Sequence, residues 1–274
     1  MAIARVVIES NRRSLLSDLK SLWQYRELLY FLIWRDVKVR YKQTVIGGTW
    51  AIIQPLLTMV MLAVIFGNFA KIPSDGLPYP IFAYTALLPW SYFARALGGS
   101  GTSVVNEAHL FTKVYFPRLV MPLSAATTPV VDFGLSFLIL LGLMVWYGIG
   151  WTWNILALPL LMVLAFTTSL SVGLWLAPLN VRYRDIGYAI PFLIQVWMYA
   201  SPVVYPVSIV PERWRFLYSL NPMVGVIEGF RWAVLGKESP ELTVMMVSVG
   251  VVVVLLAGGI VFFRKTERTF ADVI

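Results

Sequence analysis

Apolar residues dominate six long stretches of the chain, and short segments that carry charge or proline separate them. Each stretch approaches or exceeds the roughly 20 residues that a helix needs to cross the hydrocarbon of a bilayer. The pattern predicts an all-α membrane protein whose transmembrane domain, residues 49–264, has six transmembrane helices, at about 49–69, 79–98, 119–147, 154–179, 188–206 and 242–263. The third and fourth are long enough to tilt or break, and Pro129 and Pro159 are suitable places.

The segment before the first span, residues 22–46, carries too many charges to cross a membrane. Its pattern is typical of an amphipathic helix at the cytoplasmic membrane surface, with a solvated basic linker as the alternative. Asp36 precedes Arg40 by four residues, the spacing of an ion pair within a helix. Aromatic and apolar residues recur every three or four positions, at Tyr30, Trp34, Val37, Tyr41 and Val45.

Residues 207–241, between the last two predicted spans, are moderately hydrophobic and are interrupted by prolines and charges. They are too polar to span cleanly. Two short helices that dip partway into the outer leaflet fit the pattern, if their polar backbone is buried against protein. This re-entrant outer segment is a candidate gate, and a fixed outer cap is the alternative interpretation.

Composition supports a membrane location. Hydrophobic residues make up 59% of the 274 positions and charged residues 13%, below the roughly one quarter of soluble domains. With the N-terminus inside, 16 of the 22 Lys and Arg residues fall in inner segments and 5 in outer segments. This bias predicts a multi-pass protein of the cytoplasmic membrane with both termini in the cytoplasm. The cytoplasmic parts would be residues 1–48, whose first 20 residues lack the apolar core of a signal peptide, and residues 265–274.

The sequence lacks the residues of several kinds of chemistry. It has no cysteine and one histidine, which excludes disulfides, thiolate chemistry and multi-histidine metal sites. A phosphate-binding loop of the form G-x-x-x-x-G-K-[ST] is absent, because Gly236 and Lys237 are followed by Glu238. Paired carboxylates and a D-x-D motif are also absent from the loops, which disfavours a glycan-processing enzyme. We expect no enzyme activity, cofactor or metal in this chain.

Several short strings, taken in order, resemble landmarks of ABC-2 type polysaccharide export permeases. The resemblance covers about residues 25–265, and it is specific in combination although each string alone is weak. The strings are residues 32–44, which read LIWRDVKVRYKQT, and residues 47–50, 54–55, 88–90, 116–118, 179–186 and 221–223.

The resemblance implies a six-helix subunit that forms a homodimer and docks onto a separate nucleotide-binding ATPase, which would bind ATP and Mg²⁺. It also implies export of a lipid-linked polysaccharide across the cell inner membrane, as in O-antigen export during lipopolysaccharide biosynthesis. Teichoic acid exporters share the pattern. An ABC-2 exporter of drugs or lipids is a further alternative, because it would share the topology and the ATPase docking.

Two segments are candidate contacts with that ATPase. One is the amphipathic helix. The other is residues 99–116, a short cytoplasmic segment with a candidate asparagine cap, which the family uses as its coupling helix and for which a plain solvated loop is the alternative. The candidate coupling residues are Trp34, Arg35, Asp36, Lys38, Arg40, Asn106, Glu107, His109, Phe111 and Lys113.

Asp132 and Arg95 are the polar residues predicted within the spans. Asp132 lies near the middle of the third span, where an ionised acid must face protein or water. Arg95 in the second span is a candidate partner for a structural pair between helices. A role in moving substrate is the alternative.

Aromatic residues make up 15% of the chain, and most fit an interfacial belt or core packing. A subset on the second and fifth spans is predicted to line a substrate path, where flat rings accept the C–H faces of sugars without gripping particular hydroxyls. The candidates are Trp90, Tyr92, Phe93, Trp197, Tyr199 and Tyr205.

Overall fold

The computed structural model describes residues 22–42, 49–111, 116–237, 239–267 and 270, and every regular element within them is helical. The predicted all-α fold is therefore confirmed. Predictions for residues 1–21, 43–48 and 271–274 and for Lys113 fall outside the described residues.

The described α-helices follow one another with short connections. Helix α2 continues as a π-helix, Ala63–Phe69, and 3₁₀ turns precede α7 and α9 at Trp153–Ala157 and Val207–Ile209. In chain order the α-helices are α1 (Arg26–Lys42), α2 (Thr49–Leu62), α3 (Tyr79–Asn106), α4 (Ala108–Phe111), α5 (Val120–Thr127), α6 (Val130–Trp146), α7 (Leu158–Arg182), α8 (Asp185–Tyr199), α9 (Glu212–Ser219), α10 (Pro222–Leu235) and α11 (Leu242–Glu267).

Four helical stretches in the described part of the chain are long and apolar enough to cross a membrane. They match the first, third, fourth and sixth predicted spans. The second predicted span lies within α3, which has the length but is more polar, and the fifth overlaps α8, which has only 15 residues. The number of six crossings stays a prediction. The four stretches are Thr49–Phe69, Val120–Trp146, Trp153–Arg182 and Leu242–Glu267.

The fifth span is predicted to reach residue 206, but the helix in this region, α8, ends at Tyr199. Pro202 and Pro206 follow, and proline both lacks a backbone donor and clashes with a preceding helical turn. Residues 200–206 therefore form a non-helical segment. It is buried against α3, where the Tyr79 hydroxyl donates to the carbonyl of Val204 at 2.7 Å.

Helix α3 runs eight residues beyond the end predicted for the second span. Its Gly- and Ser-rich segment packs against neighbouring helices instead of forming a loop. A Cβ on Gly173 of α7 would lie 2.4 Å from the Cβ of Ser100, and a Cβ on Gly101 would lie 2.8 Å from the Ile190 side chain. The helices approach this closely only because both positions are glycine.

The asparagine cap predicted for the segment after α3 is wrong. Asn106 is the last residue of α3, and its Nδ2 donates to Thr102 Oγ1 one turn earlier at 3.2 Å. Glu107 forms the corner that follows, with its carbonyl accepting from the amide of Leu110 at 2.9 Å. The single turn α4 begins directly after this corner.

The third predicted span breaks at the position that its proline indicated. Helix α5 ends at Thr127 and α6 begins at Val130, with Pro129 between them. Proline is accommodated at the start of a helix, where its missing N–H would have no partner within the helix. The break places Asp132 in the first turn of α6, and the residue still lies near the middle of the stretch Val120–Trp146, as predicted.

Helix α3 is central to the subunit, since 19 of its 28 residues are buried. It packs against α5, α6, α7 and α10, and α10 is itself buried at 12 of 14 positions. The apolar segments at the two ends of the domain differ. Only 22% of the window in Thr49–Phe69 and 17% of that in Leu242–Glu267 is buried, which leaves broad apolar faces for lipid or another subunit.

Gly173→Ala is expected to lower the apparent Tm of the purified subunit, because the new methyl group overlaps Ser100 and the helices must separate. Overpacking of this kind costs about 1–3 kcal/mol. Gly250→Ala in α11 is the matched control, since its methyl group would meet no described atom within 4 Å. Equal Tm values for the two variants would contradict the close α3–α7 contact.

Candidate coupling site and translocation surface

Helix α1 is packed on one side and exposed on the other. Leu32 is buried in an apolar cluster with Phe116, Val120 and Met121, which joins α1 to the start of α5. Large aromatic side chains together with Lys and Arg are typical of a helix at the membrane–water interface. The exposed aromatic residues of α1 are Tyr30, Phe31 and Trp34.

An ion pair connects α1 to the corner between α3 and α4. Arg35 Nη1 donates to Glu107 Oε2 at 3.0 Å, and its Nη2 donates to Glu107 Oε1. Two parallel bonds from a planar guanidinium fix the orientation of both groups. The hydrogen bond to Glu107 is the main reason that the pKa of Arg35 lies above its usual value. Two residues predicted to contact the ATPase therefore contact each other.

The ion pair predicted within α1 between Asp36 and Arg40 is wrong. Asp36 pairs with its neighbour Arg35 at 2.8 Å. Arg40 is directed to α6 instead, where its Nη1 donates to Asp132 Oδ2. A partner 92 positions away in the sequence replaces the local one.

Asp132 is the point at which four helices meet. Its side chain is 4% exposed, and it accepts hydrogen bonds from Arg40 and Tyr41 of α1. Arg95 of α3 donates from Nη1 to Oδ2 at 2.9 Å, the pairing that the sequence suggested. Arg95 Nη2 also donates to Gln54 Oε1 at 2.9 Å, which brings in α2. We refer to Asp132, Arg40, Tyr41, Arg95 and Gln54 as the Asp132 cluster.

The charges of the Asp132 cluster account for its stability. A buried carboxylate needs compensation, which two guanidinium groups and the N-terminal dipole of α6 provide. Burial, with the hydrogen bond to Asp132, raises the pKa of Tyr41 to about 12, so its hydroxyl remains a donor. The described residues contain no group of three or more His, Asp or Glu side chains that could hold a metal ion. The two arginine–carboxylate contacts make the cluster an ion-pair network.

Asn221 joins the end of α8 to the start of α10. Its Oδ1 accepts from Trp197 Nε1 at 2.9 Å and from the amide of Met223 at 3.1 Å, and its Nδ2 donates to Ser201 Oγ at 2.9 Å. In the sequence, Asn221 was noted only as part of residues 221–223, a landmark of the family resemblance. Its role as an N-cap could have been predicted, because an asparagine directly before a proline is the usual order of an N-cap and the first helical residue.

Arg231 of α10 is an outer-segment cation that the structure buries to 3% exposure. It pairs with Glu228 at 2.9 Å, and its guanidinium lies 3.7 Å from the ring centroid of Phe82. It also donates to the carbonyls of Val203 and Tyr205 at 3.3 and 3.4 Å. These contacts hold the non-helical segment after α8 against α3 and α10.

The aromatic residues predicted to line a path fall in different environments. Trp90, Tyr92 and Phe93 are buried in the core around α3 and offer no surface to a substrate in this conformation. Trp197 and Tyr205 are partly buried, and both make hydrogen bonds within the chain. The substrate path stays a prediction, and the exposed face of α8 is the surface on which a candidate aromatic residue is open to contact.

That face is unusually open. Ile190 is the one buried residue among the 15 of α8. Tyr199 is 54% exposed and is the candidate path residue that lies on this surface. Other large side chains that share the exposed surface of α8 are Tyr188, Phe192, Leu193 and Val196.

Comparison with known proteins places this architecture in context. Residues 27–235 match the family model described as ABC-2 type transporter. The O-antigen export system permease protein RfbA of Myxococcus xanthus is 30% identical over 256 residues, which cover 92% of this chain and 97% of that protein. The protein of the same name from Klebsiella pneumoniae is 26% identical over 253 residues, covering 90% and 95%. The polysialic acid transport protein KpsM of Escherichia coli is 24% identical over 243 residues, covering 86% and 92%.

Charge exchange tests the link between α1 and the α3–α4 corner. Arg35→Glu and Glu107→Arg are each expected to destabilise the subunit, because each places like charges in contact. The double exchange is expected to restore the part of the loss that comes from this pair, while the contact of Arg35 with Asp36 stays lost. Both side chains are partly exposed, so the coupling free energy from a thermal-unfolding cycle should be about 1 kcal/mol. Purely additive effects would contradict the pairing.

Proposed function

The chain belongs to the ABC-2 type transporter family, and we propose that it is the permease subunit of an ATP-driven exporter that carries a lipid-linked polysaccharide across the cytoplasmic membrane. The observation that carries the cargo assignment is similarity along 92% of the chain to a protein named as an O-antigen export permease. The relative named for polysialic acid transport supports the same class of cargo, a sugar polymer.

A separate ATPase is the proposed energy source, because the sequence contains no phosphate-binding loop. Its proposed docking surface is α4 and the adjacent side of α1. The His109 side chain on α4 is 60% exposed, and Trp34 and Lys38 on α1 are exposed as well. A one-turn helix that follows a sharp corner is suited to insertion into a groove of a partner. Asn106 and Glu107 would support this turn from within the chain.

A homodimer is the proposed assembly, and the open face of α8 is its proposed path surface. The face combines aromatic rings with Gln195, an exposed amide between the apolar residues Ile194 and Val196. Flat rings accept the C–H faces of successive sugars without fixing particular hydroxyls, so a polymer would slide over them. With two copies, two such faces would enclose a continuous path for the glycan.

Movement of the ATPase against α4 would reach α1 through the Arg35–Glu107 pair. It would reach the membrane helices through the Asp132 cluster, which contacts α2, α3 and α6. In this scheme the ATPase does not touch the substrate. Its closing motion shifts helices that flank the path, and both termini and α1 lie on the cytoplasmic side.

Only one of the two helices in the outer segment is proposed to move as a gate. Helix α10 is buried, and Arg231 connects it to Phe82 of α3 and to the carbonyls of Val203 and Tyr205, so it acts as a fixed outer cap. Helix α9 is mostly exposed, with Ser219 its one buried residue, and it is the proposed mobile part. This division combines the two interpretations that the sequence left open.

Deletion of this protein in its own cells is expected to abolish surface glycan and to cause lipid-linked glycan to accumulate in the cytoplasmic membrane. Expression of the intact chain should restore display. Lectin labelling of whole cells and analysis of extracted lipid-linked glycan measure the two effects. Unchanged surface glycan after deletion would contradict the polysaccharide assignment and favour an exporter of small molecules.

The docking surface has a test of its own. A His109→Glu and Phe111→Ala double variant is expected to insert into the membrane but to lose most of the ATPase activity that co-purifies with the tagged chain. Glu212→Gln, on the exposed outer helix α9, is the control and should retain it. If Glu212→Gln lost the ATPase activity and the double variant kept it, the ATPase would dock on the side of α9, which contradicts the proposed orientation.

A further inference from the structure

The Asp132 cluster contains more positive charge than its carboxylate needs. Arg40 and Arg95 both donate to Oδ2 of the same side chain, and Tyr41 donates to Oδ1. One guanidinium is enough to compensate one buried carboxylate. The second arginine adds to this compensation, but the carboxylate stays paired without it.

The two arginines differ in their surroundings. Arg95 comes from the buried helix α3, and Gln54 holds its other nitrogen at 2.9 Å. Arg40 lies two residues from the end of α1, and its side chain is 44% exposed. Arg40 can leave the carboxylate and be hydrated at once, while Arg95 keeps Asp132 paired. The costly state, a buried acid without a cation, is avoided in both positions of α1.

Helix α1 has the geometry of a lever. Leu32 is fixed in the apolar cluster with α5, the link to Glu107 lies three residues later at Arg35, and Arg40 lies eight residues later. With a rise of about 1.5 Å per residue, these positions are about 4.5 Å and about 12 Å from Leu32. A shift of about 1 Å at Arg35 would therefore move Arg40 by nearly 3 Å, enough to break a hydrogen bond.

We propose that Asp132 is a releasable attachment point for α1. When the α3–α4 corner moves, α1 rotates about Leu32, Arg40 and Tyr41 leave the carboxylate, and Arg95 retains it. Asp132 and Arg95 are positioning residues in this scheme. The inference rests on the proposed function, because the partner ATPase supplies the motion at Glu107. It also gives Arg40, which the sequence assigned to the ATPase contact, a role inside the chain.

Distance measurements by electron paramagnetic resonance test the release directly. The chain has no cysteine, so Lys42→Cys at the end of α1 and Leu138→Cys on α6 are labelled specifically, and both positions are exposed. The sample is the tagged complex with its co-purified ATPase, in lipid nanodiscs. A single short distance is expected without nucleotide, and a second, longer distance is expected after trapping with ATP and vanadate.

Variants separate release from a general structural effect. Arg40→Gln and Asp132→Asn are expected to show the longer distance without nucleotide. Arg95→Gln leaves Arg40 as the only cation at Asp132, so it should hold α1 in place and show the short distance even after trapping. Export should fall about tenfold in Arg40→Gln while ATP hydrolysis continues. Arg26→Gln removes an exposed arginine from the same helix and should behave as wild type.

The results distinguish this inference from the proposed function. Loss of surface glycan on deletion, with ATPase activity in the complex, tests the function alone. If both are observed but Arg40→Gln keeps the wild-type distances, the releasable attachment is wrong and the function stands. If the complex has no ATPase, the comparison of Arg40→Gln and Asp132→Asn with wild type without nucleotide still decides whether Asp132 holds α1.

Discussion

The buried carboxylate of Asp132 determines how α1, α2, α3 and α6 are arranged around it. An acid among apolar helices must be compensated, so arginine side chains from α1 and α3 converge on it, and a glutamine from α2 orients one of them. Helix α1, which would otherwise be held mainly by the apolar cluster at Leu32, is thereby connected to α2, α3 and α6. The Arg35–Glu107 pair adds a link to the corner after α3. Ion pairs of this kind, partly open to water, can rearrange.

The part of the subunit around α7 and α10 depends on packing that is harder to rearrange. Gly173 allows α7 to lie directly against α3. Helix α10 is buried, and its Arg231 stacks on the ring of Phe82 in α3. Asn221 connects the end of α8 to this fixed part. The subunit therefore combines a fixed core with elements at its edges that have few buried residues, namely α1, α8 and α9. These are the elements for which we propose movement during transport.

Hydrophobic periodicity and prolines predicted much of the fold. The all-helical architecture, a helix within residues 22–46, the break at Pro129 and two short helices within residues 207–241 were accessible because each depends on local sequence. The extension of α3 to Asn106 was not, since a Gly-Ser-Gly-Thr segment resembles a loop until a second helix packs against it. The partner of Arg40 was missed for a related reason: Asp36 offered a local pair, and the true partner lies 92 positions away. Burial of Trp90, Tyr92 and Phe93 likewise depends on tertiary packing.

We propose that this chain moves a lipid-linked glycan when a partner hydrolyses ATP. Inverted membrane vesicles, whose cytoplasmic face is outside, allow a direct measurement with a lectin added to the medium. We expect ATP to make lipid-linked glycan progressively inaccessible to the lectin, and vesicles without this chain to show no such change. Continued ATP hydrolysis by the complex with lectin binding unchanged would contradict the proposed transport.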